Sequence, residues 1–342
     1  MTTSAGYDVG GAHVKVALVD NGRIVHVEQI ACALWRGLDQ LDEALAHALA
    51  ITGRADKHAV TMTGELADVF PDRYSGVVSL VERMVTVLGR QSRFWMGPRG
   101  MGSAEQAVAN YCDVASTNFL AAASVAARRA DDGLLIDMGS TTTDIVPFLG
   151  GAVTSRGASD ADRLRTGELV YTGLTRTPVM AVATRGVFQG QWQGLARDPF
   201  ATMADVRRVT GELPDCVDQH GTADGRGKSK DESRARLARC FGRDVASGED
   251  EAWLMAARAL AEEQVRSIQD GCLAVLSAAP LHPSPTIVTA GIGAKVALEV
   301  ARRLGLPAVS FGELIGAPSE WQEWATRCAP AVAVAMLGDQ AG

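Results

Sequence analysis

Asp137-Met138-Gly139-Ser140-Thr141-Thr142-Thr143-Asp144 follows the short apolar run Leu134 to Ile136. A strand that ends in Asp-x-Gly can fold straight back, because glycine tolerates backbone angles that other residues avoid. Such a turn points several backbone N–H groups one way and forms a concave anion site suited to phosphate. Ser140, Thr141, Thr142 and Thr143 add up to four hydroxyl donors to it. Ordinary hydroxyl-to-backbone bonding in a Thr-rich hairpin is the plainer alternative.

The same pattern stands earlier in the chain. Asp8-Val9-Gly10-Gly11 aligns with Asp137-Met138-Gly139-Ser140 at an offset of 129 residues, and that offset also places Asn21-Gly22 on Gly150-Gly151 and Ile24 on Val153. Strand, Asp-x-Gly turn, strand, glycine hairpin and strand therefore recur without a gap, which indicates duplication. The predicted strands of the first half are Ala5 to Val9, Val14 to Val19, Arg23 to Gln29, Ala59 to Met62 and Phe94 to Met96. Its predicted helices run from Leu38 to a stop at Gly53, from Leu80 to Leu88 and from Phe119 to Arg129. In the second half, a strand at Ala152 to Ser155 follows the hairpin. Glu249 to Ser277 reads as one long helix or two, Thr286 to Thr289 as a strand, and Ala294 to Leu304 as a helix. This alternation is α/β. The division expected is residues 1–130 and 131–329, with a C-terminal helix at about 330–342 packing back on the first domain. A Gly/Asp/Arg-rich stretch at about 198–248 reads as an insertion or lid, partly mobile.

With 342 residues, 47% hydrophobic and 21% charged, the chain is long enough for two cores. Its formal net charge of −7 lacks the basic footprint of nucleic-acid binding. The cationic stretch Arg226 to Arg243 is interrupted by acids and reads as a solvated helix. None of the six cysteines has metal or redox spacing, and no apolar run approaches the ~18 residues of a membrane helix. A soluble, cytoplasmic protein is expected, with no nucleic-acid or membrane partner, and a homo-oligomer is left open.

The acidic residues of the turns carry the chemistry. Carboxylates beside phosphate repel it unless a hard divalent cation lies between them, so Asp8, Asp137 and Asp144 are candidate Mg²⁺ ligands. Each is also a candidate general base. Lys15 occupies the position of Asp144 in the repeat and is the candidate cation for a diphosphate; a structural ion pair between the two across the cleft is the alternative. Gly10, Gly11 and Gly139 to Thr143 are the expected phosphate-binding residues. Gly291 and Gly293, in a third glycine turn after a strand, are added to them. Glu65, Glu168 and Arg176 are candidate substrate-binding residues, with Arg176 suited to a carboxylate. His13 reads as structural or solvent-facing, His220 and Asp224 lack a third ligand for a metal, and Trp321 and Trp324 read as packing residues.

The two Asp turns and Ala290-Gly291-Ile292-Gly293 resemble the phosphate and adenosine turns of the superfamily of acetate and sugar kinases, heat-shock chaperones and actin (ASKHA). Gly6 to Lys15, Met62 to Leu66, Asp137 to Asp144 and Gly167 to Gly173 resemble its hydantoinase A/oxoprolinase-like branch. Within that branch they look most like the tetrahydromethanopterin-linked C1-transfer proteins, which include furan-methanamine synthases. The resemblance spans nearly the whole chain, including Thr222 to Arg226. It implies two actin-like, ribonuclease H-like domains flanking a phosphate-binding cleft. It also implies a transferase of methanofuran or methylofuran synthesis, which condenses an aminomethyl-furanmethanol diphosphate with tyramine or glutamyl-tyramine, forms an ether and releases pyrophosphate. The alternatives are an ATP-dependent small-molecule kinase, in which ATP would be the cofactor, a hydantoinase-type amidohydrolase, and a nucleotide switch or filament unit.

Overall fold

The structure is a computed structural model that describes residues 2–53, 55–214, 216–278, 281–282 and 284–340. In the first half β1 (Thr3–Val9), β2 (His13–Asp20) and β3 (Arg23–Ala31) form an antiparallel meander, and β4 (Lys57–Met62) and β5 (Arg93–Trp95) add in parallel beside β1. The short β6 (Met101–Gly102) completes the sheet order β3-β2-β1-β4-β5-β6. In the second half β7 (Gly133–Met138), β8 (Thr143–Leu149) and β9 (Ala152–Val153) repeat the meander. The outer edge of β8 is shared by β9 and β10 (Leu169–Val170). After the β11 (Arg185–Phe188) and β12 (Gln191–Gly194) hairpin, β13 (Thr286–Ala290) and β14 (Ala308–Ser310) add in parallel beside β7. Both halves are thus a three-stranded meander followed by two parallel strands, the duplicated actin-like α/β fold.

The repeat holds at the level of single residues. Asp8 faces Lys15 across β1–β2, and Asp137 faces Asp144 across β7–β8. The hairpins also match: Asn21 and Gly22 have φ of 48° and 77°, Gly150 and Gly151 of 58° and 74°. Both central residues at positive φ mark the turn whose twist suits a two-residue hairpin.

Two Ala-rich helices, Asn118–Ala130 and Ala329–Gln340, share one apolar core with residues of both sheets, including Ala17 and Ala59 from the first and Leu135, Val146 and Val288 from the second. Alanine lets these backbones approach closely, which is how a chain poor in aromatic residues fills its centre. The C-terminal helix lies against β1, β2 and β4. Ala341 and Gly342 of the expected 330–342 segment lie outside the described residues.

Several elements differ from expectation. The helix predicted from Leu80 begins at Arg73, where the Asp72 side chain accepts from Ser75 N; the Asp cap was the readable signal. The strand predicted to Ser155 stops at Val153, and Asp250–Ala278 is one helix. The stretch read as an insertion or lid carries two helices, Met203–Thr210 and Lys230–Cys240. Their apolar faces join Val179, Phe188, Leu195 and Trp253 in a core of their own, so the unit reaches beyond 198–248 on both sides. The Arg-rich helix is not simply solvated. Arg236 is fully buried and bonds Asp205 Oδ1 through Nη2 at 2.7 Å and Nε at 3.0 Å, and Asp224 through Nη1 at 3.2 Å. The amphipathic charge run hid this, because the partner Asp205 lies on another helix.

All six cysteines are free; Cys112 and Cys216 are exposed and the other four are buried. Among the described residues no helix is long and apolar enough to cross a membrane. Trp321 packs on His26, and Trp324 lies under Arg327.

Candidate active site

The two Asp turns face a common cleft of about 410 Å³. Gly10 N donates to His13 O at 2.9 Å in the first turn, and Gly139 N donates to Thr142 O at 2.9 Å in the second. These equivalent bonds close each turn the same way. Gly10 and Gly11 line the cleft from one side, and Gly139, Ser140, Thr141 and Thr142 from the other. Thr143 does not. Its side chain is buried and donates to Thr172 O at 2.7 Å, so it anchors β8 rather than offering a donor to phosphate. Strand alternation explains this, since Asp144 occupies the cleft face and its neighbour must point the other way.

Charge at the base of the cleft is unequal. Lys15 Nζ lies 3.6 Å from Asp8 Oδ2, and Asn118 donates to Asp8 Oδ1 at 3.4 Å. Burial works against the Lys15 ammonium, but Asp8 and Asp137 beside it outweigh that and raise its pKa above the ordinary lysine value. Asp144 is paired with Arg163 at 2.6 Å, so each member of the alternative Lys15–Asp144 ion pair has another partner. Arg163 also donates to Glu168 O at 3.1 Å and lies 3.5 Å over the Phe119 ring. That leaves Asp137. Burial, then the charges of Asp144 and Asp8, push its carboxyl up to about 7 against the pull of Lys15.

This crowding of carboxylates fits a divalent cation. Among the described residues no three His, Cys, Asp or Glu side chains converge as a preformed metal cage. Mg²⁺ commonly takes only one or two carboxylates and draws its other ligands from phosphate and water. Asp137 and Asp144, opposite each other on adjacent strands, are placed to supply those two.

Three expected groups lie off the cleft wall. Glu168 is fully buried and accepts from Arg156 N and Gly157 N at 2.7 Å and from Ser155 Oγ at 3.0 Å; it clamps that loop and is not open to a substrate. Glu65 is buried behind the wall, where it accepts from Ser116 Oγ at 2.6 Å. Gly291 and Gly293 support the second turn from behind. Gly293 N donates to Met138 O at 2.9 Å, and a Cβ on Gly291 would come within 2.4 Å of Asp137 Oδ1. Gly293 lines a separate cavity of about 620 Å³ with Arg207, Arg258, Glu262 and Lys295. Arg176 does line the cleft, 4.5 Å over the Trp35 ring.

Residues 56–336 match the hydantoinase/oxoprolinase family model. The chain belongs to the hydantoinase/oxoprolinase family. Two curated relatives are named (4-{4-[2-(gamma-L-glutamylamino)ethyl]phenoxymethyl}furan-2-yl)methanamine synthase. The protein from Methanocaldococcus jannaschii is 31% identical over 250 residues, 72% of this chain and 74% of the relative. That from Methanococcus vannielii is 31% identical over 112 residues, 33% of this chain and 50% of the relative. Nucleotide-free acetone carboxylase aligns with a TM-score of 0.59 at 11% identity, over 98% of this chain and 70% of the other. Component A of (R)-2-hydroxyglutaryl-CoA dehydratase from Acidaminococcus fermentans aligns with a TM-score of 0.50 at 10% identity, over 100% and 99%. At such identities these structures share the fold alone.

In this hydantoinase/oxoprolinase-family chain, sequence reasoning missed one end of the cleft. His13 is buried, lines the cleft and meets His220 at a tilt with ring centres 4.8 Å apart; His220 Nε2 bonds Ala12 O at 2.6 Å. Trp35 meets His220 edge-on at 5.1 Å. His220 lies between the Met203–Thr210 and Lys230–Cys240 helices and therefore ties that segment to the first turn. Asp224, the suggested co-ligand of His220, pairs with Arg236 and Arg239 instead. Burial, then His220, Lys15 and Arg176, hold the His13 imidazole well below its usual range, as a neutral group. No local motif announces this cluster, because its members come from three separate parts of the chain.

Proposed function

We propose that the protein is a transferase of furan-cofactor synthesis that joins a phenolic amine to an aminomethyl-furanmethanol diphosphate and releases pyrophosphate. The observation that carries the reading is the pairing of two phosphate-type turns with unequal charge: Lys15 on one and Arg163-held Asp144 on the other. The product named for the curated relatives contains an aryl ether on a furan-methyl carbon, and an ether of that kind forms when a phenol displaces a leaving group from that carbon.

The residues suit such a displacement. Backbone N–H groups of the two turns and the hydroxyls of Ser140, Thr141 and Thr142 are donors for the diphosphate oxygens. Lys15 supplies a fixed positive charge where the leaving group gains negative charge, and that stabilisation is where most of the rate enhancement lies. A Mg²⁺ held by Asp137 and Asp144 would neutralise further phosphate charge. Arg176 and Trp35 form an aromatic and cationic shelf for the phenolic amine and, when present, its glutamyl carboxylate.

The test is to incubate the protein and Mg²⁺ with the furanmethanol diphosphate, with and without tyramine or glutamyl-tyramine. Pyrophosphate release and the ether mass are then followed. Acceptor-dependent release of one pyrophosphate per ether is expected. ATP turnover without acceptor-dependent pyrophosphate would overturn the reading in favour of a kinase.

A further inference from the structure

Glu65 is the buried acid that the reaction above leaves without a task. It sits in the turn after β4, and the Gly76 backbone presses against it, so that a Cβ there would lie 2.4 Å from Glu65 O. Its side chain has one outlet. Oε1 accepts from Ser116 Oγ at 2.6 Å, while Oε2 is buried with no partner among the described residues. Ser116 in turn lines the cleft, as do the Asp8 partner Asn118 and the turn residue Thr63. It is one of five described non-glycine residues at positive φ, at 54°. Non-glycine residues held in that region cost free energy and cluster where function fixes them.

The direction of the hydrogen bond matters. Ser116 spends its proton on Glu65, so its oxygen lone pairs are left to accept a proton from a group in the cleft. We propose that Ser116 and Glu65 form a proton relay that takes the hydroxyl proton of the phenolic acceptor out of the cleft, a step that rests on the transferase reading. The furan-methyl C–O bond breaks with its electron pair leaving on the diphosphate. The phenol oxygen forms the new bond to that carbon. The phenolic proton moves to Ser116 Oγ as the Ser116 proton moves to Glu65 Oε1. Burial, offset by Ser116 and weakly by Arg73 and raised slightly by Asp160, brings the Glu65 carboxyl up to about 7. Those two charged neighbours pair with each other at 2.8 Å, from the Arg73–Leu88 and Asp160–Thr166 helices. A carboxyl near neutrality is better matched to a phenol than one at the usual carboxylate value.

The experiment compares the wild type, Glu65→Gln and Ser116→Ala in acceptor-dependent pyrophosphate release, against both an ordinary phenol and a nitro-substituted phenol of the same frame. Thermal unfolding confirms that each variant is folded. Both variants should lose ~10²-fold in kcat with the ordinary phenol, the scale of a positioned proton acceptor. They should lose less than about fivefold with the nitrophenol when it is assayed above its own pKa, where it is ionised and needs no base. The pH–rate limb near 7 that Glu65 contributes should vanish in Glu65→Gln. Equal losses with both phenols, or a rate and pH limb unchanged in Glu65→Gln, would overturn the relay while the transferase reading stands. A wild type that releases no acceptor-dependent pyrophosphate overturns that reading and the relay with it.

Discussion

Arg163 donates to Asp144 at 2.6 Å with its guanidinium stacked on Phe119, so the carboxylate that replaces Lys15 in the repeat carries its own buried cation. Arg163→Ala would leave Asp144 without its charge partner and remove one of the two donors to Glu168 O, which keeps Ile145 N at 2.8 Å. Breaking a buried pair from one side costs ~3 kcal/mol. A drop of that order in unfolding free energy is expected, measured by denaturant titration, together with a fall in turnover. Arg163→Lys, which keeps charge but not the planar stack, should lie between.

Lys15→Ala tests the other side of the same asymmetry. It removes the cation 3.6 Å from Asp8 and leaves Asp8 and Asp137 facing the diphosphate unshielded. Loss of one preorganised charge at a leaving group is worth ~10²–10³ in rate. The expected outcome is a decrease of that size in kcat/KM for the diphosphate substrate. A rate close to wild type would remove Lys15 from the mechanism.

Asp137 links function to pH. In the folded protein without divalent cation its carboxyl is pushed up to about 7, chiefly by burial, whereas in the unfolded chain it ionises near ~3.9. The folded state then holds the extra proton between those values. Its contribution to stability is full below ~4, falls as pH rises to about 7 and is gone above that. Asp137→Asn should therefore abolish turnover yet stabilise the apo protein at pH 8, by an amount on the order of a few kcal/mol, and give no gain at pH 4. Denaturant midpoints at the two pH values check the sign. Mg²⁺ should shrink the gain at pH 8 by stabilising the wild type.

The parts of this molecule that were readable from sequence are those whose cause is local. The hairpins at Asn21-Gly22 and Gly150-Gly151 and the Asp-x-Gly turns are each fixed by a few adjacent residues, and their common offset exposed the duplication. Thr143 was misjudged although the signal was present, since a strand that points Asp144 into the cleft must point Thr143 away. Glu168, Arg163 and Arg236 were illegible in another sense. Their roles depend on partners such as Gly157, Asp144 and Asp205 that only the folded chain brings near. The His13–His220 ring contact joins residues over 200 positions apart, and neither residue sits in a pattern that names the other.

Gly291 shows how a motif can be recognised and its task mistaken. The third glycine turn was expected to hold phosphate, yet it braces Asp137. Gly291 has φ of 80°, and a Cβ there would lie 2.3 Å from Met138 O and 2.4 Å from Asp137 Oδ1. The Met138 carbonyl cannot yield without moving the end of β7, because it is itself bonded by Gly293 N, and the Asp137 carboxylate must swing aside. Gly291→Ala therefore forces a left-handed alanine and a displaced aspartate together. The first effect costs ~1–3 kcal/mol of stability. The second should cost ~10²-fold in turnover, since a shift of about 1 Å at a reacting group is enough for that. Gly11→Ala is the control for stability. Its backbone needs no positive φ and a Cβ there meets nothing within 4 Å, so its unfolding midpoint should stay near wild type. If Gly291→Ala unfolds and turns over as the wild type does, the third turn does not position Asp137, and its carboxylate must be held by the β7–β8 ladder alone.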